Sequence, residues 1–163
     1  NDGLVNYVLV NLGILDKPYN FLTQPFAAKI VIILALLWRW TGYNMVFFLS
    51  GLQNIEYSVY EAAKIDGASA IQTFFKITVP LLKPTILLTA IMSTNGTLQL
   101  FDESINLTDG GPANASISMS HYIYNLCFKY VPNFGYAAAM SFFILLLVAV
   151  LALIQMRVGD KRD

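Results

Sequence analysis

Residues Tyr136 to Met156, YAAAMSFFILLLVAVLALIQM, run for 21 residues without a charged side chain. At ~1.5 Å per residue a helix of that length covers the ~30 Å of a hydrocarbon layer, which takes about 20 apolar residues. The stretch therefore reads as a transmembrane helix, and whatever else the chain does must be arranged around it.

Two further apolar stretches precede it. Phe26 to Leu52, FAAKIVIILALLWRWTGYNMVFFLSGL, is long enough to span, with Lys29 near one end, where it can snorkel, and Arg39 near the middle, where it cannot do so easily. Leu81 to Phe101, LLKPTILLTAIMSTNGTLQLF, is aliphatic in its first half and polar in its second, where Ser93, Thr94, Asn95, Thr97 and Gln99 fall. Only 12% of the chain is charged, against roughly 25% in an ordinary soluble domain. The expected fold is all-α, a polytopic helical membrane protein with three spans.

Charge placement orients the spans. Lys64, Lys76 and Lys83 flank or lie in the segment between the first two spans, and Arg157, Lys161 and Arg162 follow the third; the opposite side has Lys17, Lys29 and Lys129. The excess of basic residues predicts a cytoplasmic 53–80 loop and C-terminus. The expected order is an external segment 1–25, span 26–52, cytoplasmic loop 53–80, span 81–101, external loop 102–135, span 136–156 and cytoplasmic tail 157–163. The first twenty residues have neither the basic start nor the small-residue cleavage site of a signal peptide.

Several chemistries are disfavoured. Ten basic residues balance ten acidic ones, so no basic surplus points to nucleic acid. Cys127 is the only cysteine, which excludes an internal disulfide and a cysteine metal cluster. His121 has no His, Cys or acid at ligand spacing, so no metal site is expected. No Walker lysine motif occurs, and no clustered nucleophile, base or metal set suggests a membrane enzyme.

The 53–80 loop is the most patterned part of the chain. Glu61, Ala62, Ala63 and Lys64 favour a helix, Gly67 suits a bend, and a second helix begins near Ala68, with Ile71, Phe74, Phe75 and Thr78 at three- and four-residue spacings. Pro80 and Pro84 mark the start of the next span. On composition alone the helix pair serves equally well as packing against the span ends or as a docking surface for a soluble partner.

This loop resembles the EAA loop of binding-protein-dependent ABC importer permeases: E-A-A, three residues, G, nine residues, I, one residue, then L-P. Glu61, Ala62, Ala63, Gly67, Ile77 and Pro80 stand at those spacings, with Val79 in place of the leucine. LQLFDESINLTDGGPANAS, YIYNLCF and FGYAAAMSF are similar to carbohydrate-uptake permeases of the maltose, glycerol-phosphate and multiple-sugar type, in their C-terminal half. The resemblance implies a transport subunit without cofactor or enzyme activity, in a bacterial or archaeal cytoplasmic membrane. ATP hydrolysis would fall to a separate ATP-binding subunit dimer. A second permease subunit, an extracytoplasmic solute-binding protein, membrane lipid and a sugar substrate are the other implied partners. It makes Glu61, Ala62, Ala63, Asp66, Gly67, Phe74, Phe75, Ile77 and Pro80 the expected ATPase-coupling residues, although Phe74 and Phe75 fit burial against the permease's own helices equally well.

The second span is the expected solute path, because polar side chains within a membrane are tolerated where they face protein or a water-filled cavity. Asn95 and Gln99 lie four apart on one face, with Asp102 or Glu103 continuing it and Phe101 as an aromatic platform. Helix packing is the other reading of these polar residues, and Gly96 suits a close crossing. Arg39 fits a cavity lining or an ion pair, and Thr108 to Ser116 fits a contact with the binding protein or a turn before the third span. An ATP-independent secondary transporter or channel is the alternative function, for which paired intramembrane charges or a broken helix would be the signs.

Overall fold

The computed structural model describes residues 3–159. Helices account for all the regular structure among them. They fall into two compact units: one holds the residues up to Leu36 with Leu100–Pro132, the other Leu37–Gln99 with the residues from Asn133 onward.

The first unit starts with α1 (Leu4–Asn11). Asn6 is the buried residue of this helix, and its side chain grips a later strand of backbone. Its Nδ2 donates to the Tyr19 carbonyl at 2.9 Å and its Oδ1 accepts from the Tyr19 N–H at 3.0 Å. That pairing closes the loop between them by satisfying both of Tyr19's main-chain groups.

α2 (Pro25–Gln53) is the first span and runs through both units. Pro25 suits the first helical position, where its missing N–H would have no intrahelical acceptor. At 29 residues α2 extends ~43 Å, more than a bilayer core needs. α8 (Phe134–Gly159) is the other long span, with a mean hydropathy of 2.9 in its most apolar window against 1.5 for α2. The Asn133 side chain accepts from the Tyr136 N–H at 3.1 Å and so caps its first turn. α2 overruns its expected boundaries by one residue at each end, and α8 by two at its start and three at its end. Lys161 and Arg162 of the expected tail lie outside the described residues.

The middle span departs from expectation. α3 (Tyr57–Ile65) and α4 (Ala70–Thr73) lead through a wide turn over Phe74–Thr78 into α5 (Val79–Leu81) and then α6 (Lys83–Leu98). α6 has 16 residues, ~24 Å, so it reaches spanning length only together with the helix before it, from which it is bent by 64°. Proline is the physical reason: Pro84 has no N–H to give the Pro80 carbonyl across the break at Leu82, and Pro80 has none for the Lys76 carbonyl. Before it, in the wide turn, the Val79 N–H reaches back to Phe74. α6 also stops at Leu98, so Phe101 and Asp102 lie beyond it, in the other unit, and Asp102 and Glu103 do not continue the Asn95 face.

Within the second unit, α2 and α6 approach closely at two glycines. A Cβ on Gly51 would come 2.8 Å from Thr85 Oγ1 and 2.9 Å from Leu82 Cδ2. A Cβ on Gly96 would overlap the six-membered ring of Trp40, with Cη2 at 2.6 Å. Small residues at such crossings let dispersion and polar contacts hold helices together where the hydrophobic effect contributes little.

The first unit continues with α7 (Met119–Tyr124), which Ser118 caps by accepting from the His121 N–H at 3.2 Å. Between α6 and α7 the backbone turns tightly: Asp109, Gly110, Ala113 and Asn114 all have positive φ. Short side chains hold this loop. Thr108 Oγ1 and Ser116 Oγ are 2.7 Å apart, Thr108 Oγ1 donates to the Ser104 carbonyl at 3.0 Å, and the Ser116 hydroxyl donates to the Gly111 carbonyl.

Candidate functional site

The segment from α3 to α5 is built by local hydrogen bonds. Ala68 N–H donates to the Ala63 carbonyl at 3.0 Å and Gly67 N–H to the Lys64 carbonyl at 3.1 Å, the Schellman pattern of a helix end. That pattern needs a left-handed residue, and Gly67 supplies it at φ +74° with nothing within 4 Å of where a Cβ would stand. The next helix is capped at once: Ser69 N–H donates to Gln72 Oε1 at 2.8 Å and Gln72 N–H to Ser69 Oγ at 3.3 Å, a reciprocal capping box. Two helices thus meet at a defined corner.

Tyr60 Oη and Thr78 Oγ1, 3.3 Å apart, tie α3 to the wide turn, with Ala63 and Thr78 buried. Ala63 is therefore an interior residue of this corner. Glu61, Ala62, Asp66, Gly67 and Pro80 are exposed and Ile77 is half-buried. The outward surface is unusually apolar: Ile65, Ile71, Phe74 and Phe75 are 86%, 72%, 50% and 66% exposed. The two phenylalanine rings meet edge to face at 5.0 Å. Within this chain neither phenylalanine is anchored in a core.

A second cluster lies along α2 and α6. Asn44 Nδ2 donates to Ser93 Oγ at 3.1 Å, and Ser93 Oγ lies 3.4 Å from Asn44 Oδ1. The next residue, Thr94, turns to α8 and accepts from Gln155 Nε2 at 2.7 Å. Neighbouring polar residues on α6 thus engage opposite partners, which is the helix-packing role. Asn95 and Gln99 are exposed, and Gln99 Nε2 donates to Asn95 Oδ1 at 2.7 Å. Phe101 makes T-shaped contacts with His121 and Tyr124, at 6.0 and 5.3 Å between ring centres, so it packs among the rings of its own unit.

Apart from Arg39, the sequence reading missed the aromatic face of α2 on which Asn44 also lies. A hollow of about 790 Å³ is lined by residues 38–43 and Met45. Trp40, Tyr43 and Phe47 form a ladder of rings, 5.5 and 5.2 Å apart, and the Arg39 guanidinium sits 5.7 Å from the Trp40 ring centre. Trp40 Nε1 is buried and makes no hydrogen bond. The positions 40, 43, 44 and 47 follow helical spacing, a signal present in the sequence but hidden in an apolar run. Aromatic faces beside fixed donors and acceptors suit a ligand with hydroxyls on one side and C–H groups on the other.

Over residues 4–162 the chain matches the family described as binding-protein-dependent transport system inner membrane component. It belongs to that family. Within it, this permease chain is 54% identical to the lactose transport system permease protein LacF of Rhizobium radiobacter, across 99% of the chain and 55% of LacF. It is 37% identical to the trehalose/maltose transport system permease protein MalF of Thermococcus litoralis, across 98% of the chain and 53% of that relative. Among solved structures, a bacterial ABC transporter that imports the acidic polysaccharide alginate aligns with a TM-score of 0.80 and 26% identity, covering 99% of this chain and 56% of that one. The chain spans about half the length of the curated relatives it matches.

Proposed function

We propose that this permease chain forms half of the membrane subunit of an ATP-driven carbohydrate importer, and that the 54–81 corner couples it to an ATP-binding subunit. The observation that carries this reading is the exposed group Ile65, Ile71, Phe74 and Phe75 on a corner that has the E-A-A, G, I and P spacing. Four large apolar side chains in water are unfavourable by about 1.5–3 kcal/mol each relative to burial, so this surface favours a partner. Glu61 and Asp66, both exposed, would meet basic groups of the same partner. Residues 53–80 and the end of α8 are then cytoplasmic, and residues 102–135 face outward toward a solute-binding protein. A second permease subunit completes the membrane part.

A carbohydrate solute is supported by the relatives that transport lactose and trehalose or maltose and by the alginate importer. The hollow beside Arg39, Trp40 and Tyr43 is the preferred sugar contact, ahead of Asn44, which is tied to Ser93, and of Asn95 and Gln99, which are tied to each other. The ATP-independent alternative draws support from the 64° break before α6. That break adjoins the coupling corner at Leu82, between Pro80 and Pro84, and lies far along α6 from its polar half. The deciding experiment compares full-length permease and its Gly67→Asp variant for co-purification with the ATP-binding subunit and for sugar-stimulated ATPase. Both readouts should fall; their persistence at wild-type level rejects the coupling role.

A further inference from the structure

His121 and Ser104 are the largest side chains completely shut from solvent among the described residues. Their hydrogen bonds determine where the ring proton sits. The Ser104 hydroxyl proton goes to the Ser116 carbonyl, 2.8 Å away, because a carbonyl only accepts. The same oxygen accepts from the Ser118 N–H at 3.2 Å. Its third contact, 2.9 Å from His121 Nδ1, is therefore a donation from the ring. In the neutral ring Nε2 is then a bare lone pair, buried, without a hydrogen bond, and 3.7 Å from Asp109 Oδ1.

A lone pair and a carboxylate oxygen repel each other. Lys129 offsets this from the outside, with Nζ 2.9 Å from both Asp109 oxygens. Asp109 and Lys129 are the charges that act on the ring. Asp102 and buried Glu103 before Ser104, Tyr122 and Tyr124 on α7, and Cys127 and Tyr130 beyond it are the other titratable groups on the packed elements.

We infer that His121, Asp109 and Lys129 form a proton-operated latch on residues 104–129, shut with His121 neutral and released when Nε2 takes a proton. The new N–H would point at an acceptor too far for a hydrogen bond and already held by Lys129, while the imidazolium stays buried. Burial holds His121 below the usual histidine range; Asp109 draws it partly back, and Lys129 pushes it down again. A lowered folded value means that the closed segment is fully stabilised above histidine's ordinary ~6.5 and weakens as pH falls from there toward the depressed value. The latch does not depend on the importer reading, which only decides which compartment's pH it senses.

Hydrogen exchange of full-length permease in lipid nanodiscs, corrected for intrinsic rates, tests this at about pH 7.5 and about pH 5.5, on either side of ~6.5. Wild type should lose protection in peptides from 104–129 at the lower pH. His121→Asn should show no such loss. Lys129→Gln should lose less than wild type, because its Asp109 carboxylate is left for the imidazolium. Unchanged protection in wild type, an equal loss in His121→Asn, or a loss in Lys129→Gln as large as wild type's would overturn the latch.

Discussion

Gly96→Ala adds one methyl group at the place where Trp40 rests on α6. The new Cβ would stand 2.6 Å from Trp40 Cη2, whereas carbon atoms settle at ~3.5–4.0 Å. Cζ2 of the same ring comes nearer still, so the ring must move by more than about 1 Å, or α2 and α6 must part by as much, in a contact that Gly51 holds close at its other end. Overpacking of this kind is destabilising by about 1–3 kcal/mol. The perturbation has a built-in control, since Trp40→Phe removes the ring atoms that would clash. Unfolding of the full-length permease in mixed micelles, at rising fractions of denaturing detergent, should show Gly96→Ala weakened by that amount. Combined with Trp40→Phe, the same substitution should be less damaging by about 1 kcal/mol or more, the coupling expected of residues in contact. Wild-type stability for Gly96→Ala, or strict additivity with Trp40→Phe, would refute the close crossing.

Phe74→Ser and Phe75→Ser touch side chains that this chain leaves exposed, so the permease's own unfolding should shift by less than about 0.5 kcal/mol. Its affinity for the ATP-binding subunit, titrated in nanodiscs, should fall by about tenfold or more if the rings are anchors. Gly67→Val should weaken that same affinity more than Gly67→Asn, because valine pays the full left-handed strain of ~1–2 kcal/mol that asparagine partly escapes. A double-mutant cycle on Asn44→Ala and Ser93→Ala should give a coupling of about 0.6 kcal/mol and no more than about 1.7. The Asp109–Lys129 pair has opposite pH limits: Lys129 holds the Asp109 carboxyl below its ordinary value, and Asp109 holds the Lys129 ammonium above its own. The wild-type advantage over Lys129→Gln should therefore vanish as pH falls through the lowered Asp109 value, and again as it rises through the raised Lys129 value.

The long spans were legible because a long apolar run, free of charge in 136–156 and broken in 26–52 only by Lys29 and Arg39, buries its backbone polar groups in a membrane as a helix. The Gly67 corner was legible because its signals are local: a helix former, a left-handed glycine and a Ser-x-x-Gln cap stand within a dozen residues. What escaped the sequence is set at a distance. Trp40, Tyr43 and Asn44 share a face, but in a helix rich in apolar residues every face looks similar until a neighbour arrives. The expected 81–101 span shrank to α6 because the chain bends at Leu82, between Pro80 and Pro84, and the helix ends at Leu98, which took Asp102 and Glu103 off the Asn95 face and left Phe101 beyond the helix. Asp109, twelve residues before His121, became its neighbour through a loop of positive-φ residues that no periodicity announces.

Ser93 and Thr94 hold α6 from two sides, one tied to Asn44 on α2 and the next to Gln155 on α8. A helix pinned at adjacent residues to two neighbours cannot spin about its own axis without breaking both bonds. Under the proposed coupling, a displacement entering at the 70–81 corner would pass into the bundle as tilt or translation of α6 with its two neighbours, as a lever acts, and not as rotation of α6 about its own axis.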